Sequence, residues 1–227
     1  MSFDKTSTRR EFIHKMSING LGSIGIMTFL QSCEEKGIAP SSNLIEAYIE
    51  GILSIIEKIR ERELSKINQA AGLAIQTRLQ GYRLFTHLVG GMLPLETSPS
   101  RPGSPHVFFT DPLNNSARGD IVITNDPESV RGLGERFIKI VGITTPSTPN
   151  SNTPLGTHEN MSALRIEDVS DIVIFCHVPY MDGILNIEGV DIHICPVSGI
   201  IHTLIYYALV AEIVEGLTKS GIYPEVG

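Results

Sequence analysis

The sequence predicts an α/β fold, a doubly wound parallel β-sheet with helices on both faces. Three observations carry this. Residues 120–124 (DIVIT), 139–144 (KIVGIT) and 171–176 (DIVIFC) are short, nearly unbroken apolar runs. Strands buried on both faces read this way, whereas half-buried strands alternate. Segments that read as helix flank these runs, at 44–80 and 200–217. The connections are punctuated by Pro, Gly and Ser, as loops are. Sheets of this class bind ligands outside the carboxyl ends of their strands. The loops after Leu88, Thr124, Thr144 and Cys176 are therefore the ones to inspect.

The chain has 227 residues and a formal charge of -7. Hydrophobic residues make up 41% and charged residues 19%, which suits a globular domain. Residues 1–32 contain four Lys/Arg and two Asp/Glu. The remainder holds 14 basic and 23 acidic residues, a net charge of -9. Such a balance excludes a sequence-wide nucleic-acid footprint. Trp is absent and aromatics are 6%, so a broad aromatic stacking platform is excluded as well.

The N-terminus reads as an address. Thr8-Arg9-Arg10-Glu11-Phe12-Ile13, with Lys15, matches a twin-arginine export pattern. The apolar stretch Met16–Leu30 spans 15 residues, fewer than the ~20 that a membrane-spanning helix needs. Leu30-Gln31-Ser32-Cys33 resembles a lipoprotein cleavage box, which would make Cys33 a lipidated N-terminus. The expectation is an export signal at 1–33, a tether at 34–43 and one domain at 44–227. The domain would then be periplasmic and held on a membrane surface by its lipid anchor. The alternative is a cytoplasmic chain with a chance Arg pair.

In residues 44–80, Leu44, Ile45, Tyr48, Ile49, Ile52, Ile55, Ile56 and Ile59 recur at steps of three and four, one face of a helix. Ser41 or Ser42 is expected to cap it. A break near Ser65 and a second helix from Ile67 to Leu79 follow, closed by Gly81. Residues 82–88 read as the first strand. Pro94, Pro99, Pro102 and Pro105 exclude regular structure in 93–105. Residues 106–109 read as a short strand and 128–137 as a short helix. Residues 145–160 are a polar loop, and 200–217 a strong apolar helix. Cys176 and Cys195 read as small core residues, with a disulfide as the alternative in an exported domain.

Within this frame, Gly119-Asp120-Ile121-Val122-Ile123-Thr124-Asn125 and Lys139-Ile140-Val141-Gly142-Ile143-Thr144-Thr145 are similar to paired strand–loop segments of the sugar isomerase (SIS) family. So is the C-terminal third, with Val178-Pro179-Tyr180-Met181-Asp182, Leu185-Asn186-Ile187-Glu188-Gly189, Pro196-Val197-Ser198-Gly199 and Ala208-Leu209-Val210-Ala211-Glu212. The resemblance covers about 110 residues well, in the single-domain uncharacterised subgroup. It implies an αβα sandwich that binds a phosphosugar or related acidic carbohydrate, with aldose–ketose isomerisation the associated reaction. It implies self-association as a homodimer or homotetramer; separately, no cofactor and no metal are expected. The loop after the first strand lacks the family's usual serine and reads Thr86-His87-Leu88-Val89-Gly90-Gly91. The second loop is Thr124-Asn125-Asp126-Pro127-Glu128-Ser129 where the family is Ser-rich.

Candidate ligand-binding residues are His87, Gly90, Thr124, Asn125, Ser129, Thr144, Thr145, Ser147 and Ser198. Hydroxyls and backbone N–H groups at strand ends can converge on a phosphate. Glu96 and His202 are the candidates for moving protons between neighbouring carbons and for ring opening. Arg101, between prolines, could meet an anionic group. Asp126 and Glu128 would repel a phosphate dianion but accept hydroxyl protons well. His158, His177 and His193 do not form a metal-ligand spacing. The competing readings are a non-catalytic exported sugar-sensing lipoprotein and a dimeric scaffold.

Overall fold

The computed structural model describes residues 43–90, 93–98, 100–144, 164–179 and 182–225. Asn43, not Ser41 or Ser42, caps the first helix, α1 (Leu44–Arg62): its Oδ1 accepts from the N–H groups of Ile45 (3.1 Å) and Glu46 (3.4 Å). Ala47, Gly51, Ile55 and Ile59, four residues apart, form the buried stripe. The break falls at Glu63, two residues earlier than the sequence predicts, and α2 (Leu64–Leu79) begins at once. Its small buried residues Ala70, Ala71 and Ala74 allow a close approach to the last helix, α6 (Ser198–Lys219).

Four parallel strands follow: β1 (Leu84–His87), β2 (Ile121–Thr124), β3 (Lys139–Thr144) and β4 (Ile172–Phe175). They pair in the order β1-β2-β3-β4. The register sets His87 beside Thr124, Thr124 beside Gly142, and Thr144 beside Phe175. The segment predicted as a strand at 106–109 makes only one bridge, Phe109 to Phe85, on the outer side of β1. Phe109 N–H donates to Leu84 O (2.7 Å), and Phe109 O accepts from Thr86 N–H (3.0 Å). The chain thus leaves β1 toward one side and returns on the other, as β2. The carboxyl ends of β1 and β2 form the switch point where such sheets open a crevice.

Both faces of the sheet are covered. Leu84, Ile121, Ile123, Val141, Ile143, Ile172 and Ile174 pack with α2 and α6. Phe85, Val122 and Ile140 face the other way, onto Val130, Leu133, Ile138 and Val169. Full burial of each such side chain stabilises by roughly 1.5–3 kcal/mol. Gly142 permits the tight fit of the single-turn helix α5 (Ile166–Val169): a Cβ there would lie 2.4 Å from Ser170 Oγ and 2.6 Å from Ile166.

Two predictions of local structure need correction. Region 93–105 contains one helical turn, α3 (Leu93–Glu96), because Pro94 at its start has no N–H to satisfy. Region 128–137 is a series of turns ending in a 3₁₀ turn, Gly134–Arg136, not a helix. Gly132 lies at φ +80° there, outside helical space. A further single turn, α4 (Pro112–Asn115), leads into β2. The hairpin β5 (Gly183–Leu185) and β6 (Ile194–Pro196) forms a separate antiparallel sheet against α1, where Tyr48 Oη donates to Pro196 O (3.2 Å).

Helix α6 is long and apolar enough, at 22 residues, to cross a membrane by length and composition. Here Ile201, Ile205, Leu209, Ile213 and Leu217 instead form the centre of the core. Cys176 and Cys195 are both unpaired; burial pushes the Cys176 thiol up to about 12, so it stays protonated.

Candidate ligand site at the carboxyl edge of the sheet

The loops after β1 and β2 are tied together. Asn125 donates from Nδ2 to Val89 O (2.9 Å) and accepts at Oδ1 from Val89 N–H (2.8 Å). Both capacities of its amide are thereby directed into a clamp between the strand ends. Gly90 closes the β1 loop at φ +94°, a conformation that favours glycine.

The β2 turn is satisfied from within. Thr124, fully buried, accepts at Oγ1 from Asp126 N–H (3.0 Å). Asp126 Oδ1 accepts from Glu128 N–H (3.1 Å) and Ser129 N–H (3.4 Å), and Oδ2 accepts from Ser129 Oγ (2.5 Å). His87 Nε2 approaches the same carboxylate from β1 at 3.6 Å, beyond hydrogen-bond reach, and is buried without a partner. Glu128 turns away to Arg131, with N···O separations of 2.8–3.0 Å. Thr144 ends β3, and its carbonyl accepts from Cys176 N–H (2.7 Å). Thr145 and Ser147 lie outside the described residues, as does Cys33 with the whole export segment.

Glu96, His202 and Ser198 belong to a second group, around the first turns of α6. Tyr207 Oη donates to Glu96 O (2.8 Å), fixing α3 on α6. The Glu96 carboxylate is ion-paired with Arg101. Ser198 is engaged: Asp182 Oδ1 accepts from the N–H groups of Val197 (2.9 Å) and Ser198 (2.7 Å), and Oδ2 accepts from Ser198 Oγ (2.6 Å). Asp182 therefore caps α6, with its own backbone at φ +65°. His202, 8% exposed, carries an Nε2 with no partner. Burial pushes its pKa down to about 4, against the opposing field of Asp182, so the ring is neutral near pH 7. Thr86, on the α6-facing side of β1, likewise buries an unpartnered Oγ1.

Sequence reasoning missed one cluster. Glu63, 3% exposed, accepts from Lys66 Nζ (3.0 Å), Phe175 N–H (3.2 Å) and His177 Nε2 (3.0 Å) at the end of β4. Burial raises its pKa, but the hydrogen bonds from Lys66, Phe175 and His177 prevail and hold it below the usual carboxylate value. The signal was present in the sequence. The buried stripe 47, 51, 55, 59 extends by one more step to 63, putting a carboxylate at a core position. Among the described residues, no three His, Cys, Asp or Glu side chains group in a way that could hold a metal ion.

Fold and site together define an α/β protein whose parallel sheet carries buried, unpartnered polar groups toward its carboxyl edge. No family model matches the chain. It is similar to a UPF0309 protein of Caldanaerobacter subterraneus subsp. tengcongensis, 26% identical over 223 aligned residues, covering 81% of this chain and 89% of that protein.

Proposed function

We propose that this domain is an SIS-type protein that binds a carbohydrate derivative at the carboxyl edge of its sheet, between the β1 and β2 loops and the first turns of α6. One observation carries the reading: Thr86 Oγ1, on β1, and His202 Nε2, in the first turns of α6, are each buried without a hydrogen-bond partner. Buried polar atoms are nearly always paired, and a ligand hydroxyl would pair them. The SIS-like strand–loop segments of the sequence support the same choice.

On this reading, the activity is aldose–ketose isomerisation. Glu96 is the base that moves a proton between adjacent carbons, and neutral His202 assists ring opening. The test is solvent deuterium incorporation beside the carbonyl carbon of a bound sugar. Incorporation that is lost in Glu96→Gln supports catalysis. No incorporation into any sugar that binds removes it.

A second reading, a non-catalytic sugar-sensing lipoprotein or dimeric scaffold, is favoured by the β2 turn, whose donors are already taken. Exposed Ile45, Ile49 and Leu53 on α1 offer a face for a second copy. In both readings the chain is exported by the twin-arginine route and anchored through Cys33.

A further inference from the structure

We infer that Asp126 supplies, from within the chain, the negative charge that a phosphate would otherwise bring to the β2 turn, and that the ligand of this edge is therefore unphosphorylated. The inference deepens the proposed carbohydrate role and rests on it for the kind of ligand, but its anion argument stands on the geometry alone. A loop that holds a phosphate presents several N–H and O–H donors toward one point and leaves them for the ligand. The β2 turn has such donors. Each already has an acceptor inside the chain: Asp126 N–H gives to Thr124 Oγ1, Glu128 and Ser129 N–H give to Asp126 Oδ1, and Ser129 Oγ gives to Asp126 Oδ2.

In the neighbouring loop Val89 N–H is likewise taken, by Asn125 Oδ1. The 124–129 turn contains no Lys or Arg, and its second acid, Glu128, is neutralised by Arg131. A phosphate arriving here would meet a like charge and turn donors already given to acceptors within the turn. A sugar hydroxyl meets a good acceptor instead, because the Asp126 side chain stays 23% exposed and carboxylate oxygens accept several hydrogen bonds. His87 Nε2, 3.6 Å from the same carboxylate and without a hydrogen-bond partner, donates to that hydroxyl in one tautomer and accepts from it in the other. The turn thus discriminates by charge, with Asp126 as the specificity-determining residue.

The experiment titrates inorganic phosphate into the full chain and its Asp126→Ser variant, at matched ionic strength, by phosphorus NMR and calorimetry. Wild type is expected to show no saturable binding. Asp126→Ser, with Glu128 and Ser129 N–H released and the charge gone, is expected to bind phosphate at least about ten-fold more tightly. If Asp126→Ser does not fold, Asp126→Asn carries the test: it loses the charge, keeps an acceptor, and should show a smaller gain. Wild type binding phosphate as tightly as the variants, or neither variant gaining, overturns the inference. A second arm compares a hexose with its 6-phosphate on wild type. Any phosphate ester that outbinds its parent sugar also overturns it. If no sugar binds while the phosphate arm behaves as expected, the carbohydrate reading fails and phosphate exclusion by Asp126 stands.

Discussion

Replacing His202 by Leu isolates the energetic consequence of a buried, unpartnered imidazole. The ring is 8% exposed, and burial holds its pKa at about 4, below the ordinary 6.5. The folded chain therefore keeps His202 neutral, while the unfolded chain takes up a proton as pH falls through 6.5. A depressed folded pKa means that stability is intact above the unfolded value and is lost as pH falls toward the folded one. Linkage gives a loss of about 2.5 kcal/mol by pH 4.5, approaching about 3.4 kcal/mol below pH 4. Leu is similar in size and removes the orphaned Nε2, so His202→Leu should lie within about 1 kcal/mol of wild type at pH 7.5. The assay is urea unfolding of both proteins at pH 7.5, 6, 5 and 4.5. The difference between them isolates His202 from other titrating groups. Wild type should weaken relative to the variant by about 2–3 kcal/mol on going to pH 4.5. A difference that does not change with pH, or a relative gain by wild type in acid, would refute the reasoning.

Other outcomes follow from the same structure. Glu63→Ala strips Lys66, Phe175 N–H and His177 of their shared acceptor, and unfolding experiments should show a loss of about 2–4 kcal/mol at pH 7. Because the folded pKa of Glu63 is lowered, its contribution is present above the unfolded carboxylate range and disappears as pH falls through the folded value; the wild-type advantage over Glu63→Ala should shrink in acid. Asn125→Ala removes both bonds to Val89 and should lower stability by about 1–3 kcal/mol, with faster amide exchange at Val89. Cys33→Ser should abolish incorporation of labelled fatty acid and release the protein from membranes in an exporting host, whereas unchanged labelling would reject Cys33 as the anchor.

The sheet was legible because its chemistry is local. Ile121–Thr124, Lys139–Thr144 and Ile172–Phe175 are continuous apolar runs, and strands covered on both sides require that. Helix α1 declared itself by period, and α6 by its long apolar run. What failed was set by single backbone positions. Gly132 at φ +80° interrupts a helical-looking stretch at 128–137. Pro94, read as a breaker, begins the turn Leu93–Glu96. For the candidate site, the sequence indicated positions but not their partners. Strand-end placement drew attention to His87, Thr124, Asn125 and Ser129, but their partners are settled only in three dimensions. Thr124, Asn125, Ser129 and Ser198 are all hydrogen-bonded inside the chain. Glu63 ends the charged stretch Glu57-Lys58-Ile59-Arg60-Glu61-Arg62-Glu63, and its partners Phe175 and His177 meet it from 112 and 114 residues away.

The central claim, a carbohydrate site at the carboxyl edge beside Thr86 and His202, is tested most directly by a thermal-shift screen of the full chain against sugars and sugar acids. The screen is repeated on His202→Leu and Thr86→Val. A ligand held at 100 times its dissociation constant adds about 2.7 kcal/mol, a rise of several degrees in melting temperature. The account predicts a rise with at least one carbohydrate that disappears in both variants. No rise with any carbohydrate, or a rise that both variants keep, would contradict it.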